Sequence, residues 1–235
     1  MEKCILYCIP NAGASSVMYL KWRKYLSEHI ALQPLEISGK GERFKEPLLN
    51  SISDIVNDLY DQIKNKLDKS PYALFGYSMG SLVSFELYRK IKKNGHKLPI
   101  HFFASSFEAP QYIFRKLHTY NLPDPEFKKE VLKYNGFPKE FMNDESFLDY
   151  YLRILRSDFQ AIETYKYKPS DGLLESNTTV FFGENDKTAT YYKLEGWRYL
   201  TDKKFQIYRF SGDHFFIDDF LSEVVTIVNN TLYPY

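Results

Sequence analysis

Pro71-Tyr72-Ala73-Leu74-Phe75-Gly76-Tyr77-Ser78-Met79-Gly80 is the stretch on which the fold turns. Its first half is a short apolar and aromatic run opened by proline, the length of a buried strand. After it, Leu82, Val83, Leu87 and Ile91 form the stripe of a helix that Asn94-Gly95 ends. Between the two lies G-x-S-x-G, the pattern of a serine held on a sharp strand-to-helix turn. Such a turn brings backbone close on either side of the serine, so both flanking positions must lack a Cβ. The bare pattern arises by chance in roughly a few per cent of chains of this length. A strand before it and a helix after it are what the mechanism requires and what a chance match rarely has.

Outward from this point, strand-like runs and helical patterns alternate, as in a mostly parallel sheet covered by helices. Strands are expected at Cys4 to Ile9, Gln33 to Ile37, Pro71 to Phe75, Ile100 to Ser105, Thr178 to Phe182 and Lys204 to Phe210. A helix is expected around Tyr19 to Leu26. Ile52, Ile55, Val56, Leu59, Ile63 and Leu67 mark another, with Ser51 or Ser53 as its cap, and Ile217 to Val228 form a closing helix. Some seventy residues separate the fourth and fifth strands, too many for a simple connection. Leu148, Tyr151, Leu152, Leu155, Phe159 and Ile162 are helically spaced there, so residues 111–172 read as a mainly helical insertion in one domain spanning 1–235.

With 31 basic and 30 acidic residues the formal charge is +1, and no long-range field favours nucleic acid or an anionic membrane. Aromatics make up 17% of the chain, which suits a core with an apolar cleft, though packing alone accounts for most of them. The only cysteines, Cys4 and Cys8, lie in one strand, about 13 Å apart when extended, and cannot bridge each other. A reducing cytoplasm is the simpler setting. The apolar start runs into Pro10-Asn11-Ala12-Gly13 and reads as a strand and turn, not a secretory signal. No apolar run approaches the ~20 residues that span a bilayer.

A serine hydroxyl needs a base, and histidine suits neutral pH. His29, His96, His101 and His118 each have an ordinary structural reading. His214, in Ser211-Gly212-Asp213-His214-Phe215-Phe216 between the last strand and the last helix, is the expected base. The acid should fall between serine and histidine in chain order. Asp186 ends Phe182-Gly183-Glu184-Asn185-Asp186 past the fifth strand; Glu184 is its nearest rival, and Asp213 is too close to the histidine in sequence to reach its ring. The backbone N–H of Met79 should be one oxyanion donor, the second coming from the small-residue loop Pro10 to Ser16.

Taken together, several segments resemble the external (type II) thioesterases that accompany nonribosomal peptide and polyketide synthases. They are Leu6-Tyr7-Cys8-Ile9-Pro10-Asn11-Ala12-Gly13, Ser38-Gly39-Lys40-Gly41-Glu42-Arg43, Phe75 to Gly80 with Phe85-Glu86-Leu87, Leu155-Arg156-Ser157-Asp158-Phe159 to Tyr165, and Gly212 to Phe216. Their order and spacing cover nearly the whole chain. The resemblance implies an α/β-hydrolase fold, with a mostly parallel central sheet flanked by helices. It also implies hydrolysis of acyl or aminoacyl thioesters from the phosphopantetheine arm of carrier proteins. By the same carry-over Ala12 supplies the second oxyanion N–H, and residues 111–172 form a mobile lid over the acyl pocket. No diffusible cofactor or metal is expected, and the chain is expected to act as a monomer. Ala14, Ser38 and Ser106-Phe107-Glu108-Ala109-Pro110 depart from the family's usual pattern, which bears on pocket shape.

Two other functions fit the same residues. A carboxylesterase or lipase would use the same triad on oxygen esters, and a non-catalytic module would use the cleft to hold an apolar ligand. Lys92, Lys93, Arg115, Lys116, Lys128 and Lys129 are the basic residues considered for contact with an acidic carrier.

Overall fold

The computed structural model describes residues 3–113, 118–133, 144–169 and 172–233. Six strands form one sheet in the order β2-β1-β3-β4-β5-β6: β1 Cys4–Ile9, β2 Ile30–Pro34, β3 Tyr72–Tyr77, β4 His101–Ser105, β5 Asn177–Gly183 and β6 Phe205–Phe210. Every neighbouring pair is parallel. Such a sheet must be covered on both faces, and residues alternate accordingly. Tyr7, Ile9, Leu74, Phe102 and Val180 pack on one face with α1 (Ile52–Ile63) and α2 (Met79–Lys93). Cys4, Leu6, Cys8, Phe75, Phe103 and Phe181 pack on the other with α6 (Phe216–Asp219) and α7 (Leu221–Thr231). Ser51 caps α1 through the Asp54 N–H, which settles the choice between the two serines.

Three elements differ from their expected form. The helix around Tyr19 to Leu26 is a 3₁₀ helix over Ser16–Lys24, capped by Ser15, with Tyr19 and Trp22 buried. Strand β2 lies three residues earlier than expected at both ends, over Ile30–Pro34; Pro34 pairs with Cys8 near the end of β1, and the residues after it, Glu36 among them, lie outside the sheet. The closing helix is broken at Phe220 into α6 and α7. Within the insertion, α3 (Asp124–Leu132) and α4 (Glu145–Thr164) are the main elements, and the short α5 (Tyr191–Glu195) follows β5; Arg115 and Lys116 lie outside the described residues.

The strand order places the functional end. The chain moves outward from β1 to β2, then returns across β1 to β3, so the sequence reverses direction between β1 and β3. Ligands of open parallel sheets bind at the carboxyl ends of strands at such a switch point, and both Pro10–Ser16 and the Ser78 turn emerge there.

His101, in β4, is distant from that end and has a structural role. It is 4% exposed, its Nε2 is 2.9 Å from Thr179 Oγ1, and its ring packs on Phe103 at 4.3 Å. Burial pushes its pKa down to about 4. The unfolded chain therefore binds the extra proton first, and stability is lost as pH falls from the unfolded value of about 6.5 toward 4, by about 3 kcal/mol in total. Denaturant titrations across this window should show that slope, and His101→Phe should flatten it.

Candidate active site

The turn at Ser78 is as tight as its glycines require. A Cβ on Gly76 would lie 2.3 Å from the Gly80 carbonyl oxygen, and one on Gly80 would lie 2.1 Å from the Ile9 carbonyl oxygen. Ser78 itself has φ 52° and ψ −121°, a conformation that costs a non-glycine residue of order 1–3 kcal/mol and persists only when its surroundings fix it. Those surroundings are explicit. The Ser78 N–H donates to Ser105 O at 2.8 Å, and the buried Ser81 hydroxyl lies 2.8 Å from Gly76 O and 3.0 Å from Ser105 O. Met79 opens α2, so its N–H has no acceptor within that helix.

Ser78, His214 and Asp186, separated by up to 136 positions, meet in a line. His214 Nε2 is 3.0 Å from Ser78 Oγ, and His214 Nδ1 is 2.8 Å from Asp186 Oδ2. The Asp186 carboxylate is fully buried. Burial raises its pKa, but hydrogen bonds from His214 and Thr188 outweigh this and hold it below the usual carboxylate range. It is thus an anion positioned to fix the imidazole tautomer. The histidine loop is held from behind: Tyr77 Oη donates to His214 O at 2.7 Å, Ser106 Oγ donates to the same oxygen at 3.2 Å, and the Tyr77 ring stacks on the imidazole at 6.0 Å.

The rival acids are engaged elsewhere. Glu184 pairs with Arg209 at 3.6 Å, and Asp213 accepts the Phe215 N–H at 2.9 Å.

Thr188 was not singled out by sequence and belongs to this cluster. Its N–H and hydroxyl donate to Asp186 Oδ1 at 2.8 and 2.7 Å, and its Oγ1 is 3.0 Å from His214 Nδ1. Asp186 Oδ1 is thereby anchored while Oδ2 faces the imidazole. Hydrogen bonds to charged groups contribute about 1.5–3 kcal/mol, so Thr188→Val should lower kcat by roughly 10- to 100-fold. Thr188→Ser should retain most activity. Steady-state thioester hydrolysis with both variants, at matched melting temperature, checks this.

Two buried carboxylates grip the loop after β1. Asp158 of α4 accepts the Gly13 N–H at 2.7 Å and pairs with Lys40 Nζ at 2.6 Å, both side chains being 3% exposed or less. Glu36 accepts Ser15 Oγ at 2.7 Å, Ser16 Oγ at 2.9 Å and the Ser16 N–H at 3.2 Å. The Ala14 N–H closes a turn onto Asn11 O. The N–H groups of Gly13, Ala14 and Ser16 are therefore committed, and Ala12 sits at the bend of the loop, packed between the main core and the insertion's apolar cluster of Phe127, Val131, Leu155 and Phe159. Asp158 and Lys40 both fall in segments that carried the family resemblance; the sequence held no signal that they pair.

The thioesterase domain family matches residues 4–232. Gramicidin S biosynthesis protein GrsT of Aneurinibacillus migulanus is 34% identical over 223 residues, 95% of this chain and 86% of that protein. Among solved structures, ClbQ from the colibactin NRPS/PKS pathway superposes with a TM-score of 0.93 at 33% identity, covering 98% of this chain and 97% of ClbQ. The type II thioesterase BorB from the borrelidin biosynthetic cluster has a TM-score of 0.87 at 26% identity, covering 97% and 92%.

Proposed function

The chain belongs to the thioesterase family, and from that premise we propose that it releases acyl or aminoacyl groups from the phosphopantetheine arms of carrier proteins by hydrolysing their thioesters. The relatives from nonribosomal peptide and polyketide pathways support a synthase's carriers as the substrate; the proposed task is clearing or editing those carriers, and the proposed setting is the cytoplasm. The observation that carries the chemistry is the continuous relay Ser78 Oγ, His214 imidazole, Asp186 carboxylate, with contacts of 3.0 and 2.8 Å.

Ser78 Oγ attacks the thioester carbonyl as His214 Nε2 takes its proton. The N–H groups of Ala12 and Met79 receive the oxyanion, a donor pair of which each member contributes about 3–4 kcal/mol in the transition state. Collapse breaks the C–S bond, and the imidazolium returns its proton to the departing pantetheine sulfur. Water, deprotonated by the same imidazole, then attacks the Ser78 ester through a second oxyanion, and the proton passes to Ser78 Oγ as the acid leaves. No step calls on a group outside the chain and its substrates. The insertion carrying α3 and α4 acts as the lid over the acyl group, with α4 seated on the loop that bears Ala12.

The competing substrate is an oxygen ester, and one comparison separates them. With the same acyl group, kcat/KM for an acyl-loaded carrier should exceed that for a free aryl ester. The reverse order would assign the triad to an esterase.

A further inference from the structure

Among the described residues two that are not glycine hold positive φ, Ser78 at 52° and Ser106 at 50°. The first is the strained turn of the nucleophile. The second is not part of that turn. Ser106 directly follows β4 and is fully buried, and at such a φ glycine is the residue that fits without steric cost. Glycine would also bring no hydroxyl to a place closed to water, where a polar group must find a partner. A serine at this point adds backbone strain and a buried polar group together, and what its hydroxyl touches accounts for both.

The hydroxyl touches the base. Ser106 Oγ donates to His214 O at 3.2 Å, and Tyr77 Oη donates to the same oxygen at 2.7 Å. A carbonyl oxygen has two lone pairs, and here both are taken. The two donors come from neighbouring strands that also hold the nucleophile. Tyr77 ends β3 and immediately precedes Ser78, while Ser106 follows Ser105, whose carbonyl accepts the Ser78 N–H at 2.8 Å. Ser106 is itself fixed by its N–H, which donates to Phe181 O of β5 at 3.0 Å. The contacts close a ring, from Ser78 through Tyr77 to His214 O and back through Ser106 and Ser105 O to the Ser78 N–H.

The base depends on such a tie because His214 lies in a turn between β6 and α6, outside any helix or strand. Gly212 before it has φ 122°, and Asp213 O presses on Gly183, where a Cβ would lie 2.2 Å from it. Asp186 and Thr188 act on the outer ring nitrogen, Nδ1, and so set the rotation and tautomer of the imidazole. They do not hold the backbone from which the ring springs. We propose that Ser106 is a positioning residue of the triad: with Tyr77 it fixes the His214 carbonyl and so keeps Nε2 at 3.0 Å from Ser78 Oγ, within reach for proton transfer. The inference rests on the serine-hydrolase reading given above, and Ser106 acts through His214.

Hydrolysis of the acetyl thioester of N-acetylcysteamine by the full chain tests it. Ser106→Gly and Ser106→Ala should each lower kcat by roughly 3- to 10-fold, the loss that one neutral hydrogen bond allows, with KM within about twofold. Glycine relaxes the backbone and alanine does not, so the glycine variant should melt higher while being no more active. A residue that only supported the fold would show activity recovering as the melting temperature rises. Tyr77→Phe, which keeps the stacked ring, should cost a similar factor. Combined with Ser106→Gly it should cost more than the product of the two single losses, because only then is the carbonyl released. Unchanged kcat in Ser106→Gly, activity that follows stability from alanine to glycine, or a double variant no worse than that product would overturn the proposal. A wild-type chain that leaves the thioester intact, with Ser78 unreactive to a fluorophosphonate, would overturn the triad reading and this inference with it.

Discussion

Alanine at position 78 lowers turnover by on the order of 10⁵ to 10⁶, the loss seen when the nucleophile of a serine triad is removed. Thiol release from an acyl-loaded carrier, followed with a chromogenic disulfide, measures it. KM should change little, because the hydroxyl acts in the chemical step and contributes little to ground-state binding. Residual hydrolysis above a few per cent of wild type would remove Ser78 from the mechanism. The backbone supplies a control: Ser78 holds φ 52°, which alanine keeps strained and glycine relaxes. Ser78→Gly should therefore be equally inactive yet melt higher than Ser78→Ala, showing that lost activity does not follow lost stability.

The second large effect is on folding. Lys40 and Asp158, 118 positions apart, form an ion pair almost wholly removed from water. Removing one charge leaves its partner buried and uncompensated, at a cost of about 3–5 kcal/mol. Asp158→Asn should lower the melting temperature by roughly 10 °C for a chain of this size. Replacing both, Lys40→Met with Asp158→Leu, should recover part of the loss, since the apolar pair removes the uncompensated charge while the Gly13 N–H loses its acceptor. Catalysis per folded molecule should fall less than tenfold in Asp158→Asn, because Glu36 and the Asn11–Ala14 turn still hold the oxyanion loop. An unchanged melting temperature would show that the pair does not support the fold. Gly13 marks how closely the insertion is seated, since a Cβ there would lie 2.7 Å from Leu155 Cδ2 and from Tyr151 Oη.

What the sequence disclosed is what local chemistry determines. The turn at Ser78 is written in five consecutive residues because two close backbone approaches demand two glycines at fixed offsets. The covering helices α1 and α2 follow from apolar spacing, and the order Ser, Asp, His needs only the succession of strand ends. What stayed hidden depends on approach in space. Glu36, Lys40 and Asp158 look like surface charges until the fold brings them to the loop after β1. Thr188 stands two residues past Asp186, and nothing in its neighbourhood separates a carboxylate anchor from an ordinary turn threonine. Chain position past the fifth strand already favours Asp186 over its rival Glu184 in the sequence, and in the fold it is Asp186 that faces the imidazole. The 3₁₀ form of Ser16–Lys24 escaped for a related reason: over so short a segment, Tyr19 and Trp22 satisfy a period of three as well as one of 3.6.

Identifying the residue that a fluorophosphonate modifies tests the central claim most directly, because phosphonylation needs the same activated hydroxyl and the same oxyanion donors as acyl transfer. One label per chain, mapped by peptide mass spectrometry to Ser78, slowed by an acyl-loaded carrier and nearly abolished in Asp186→Asn, is the predicted result. A label on another residue, or none on a correctly folded chain, would contradict the account.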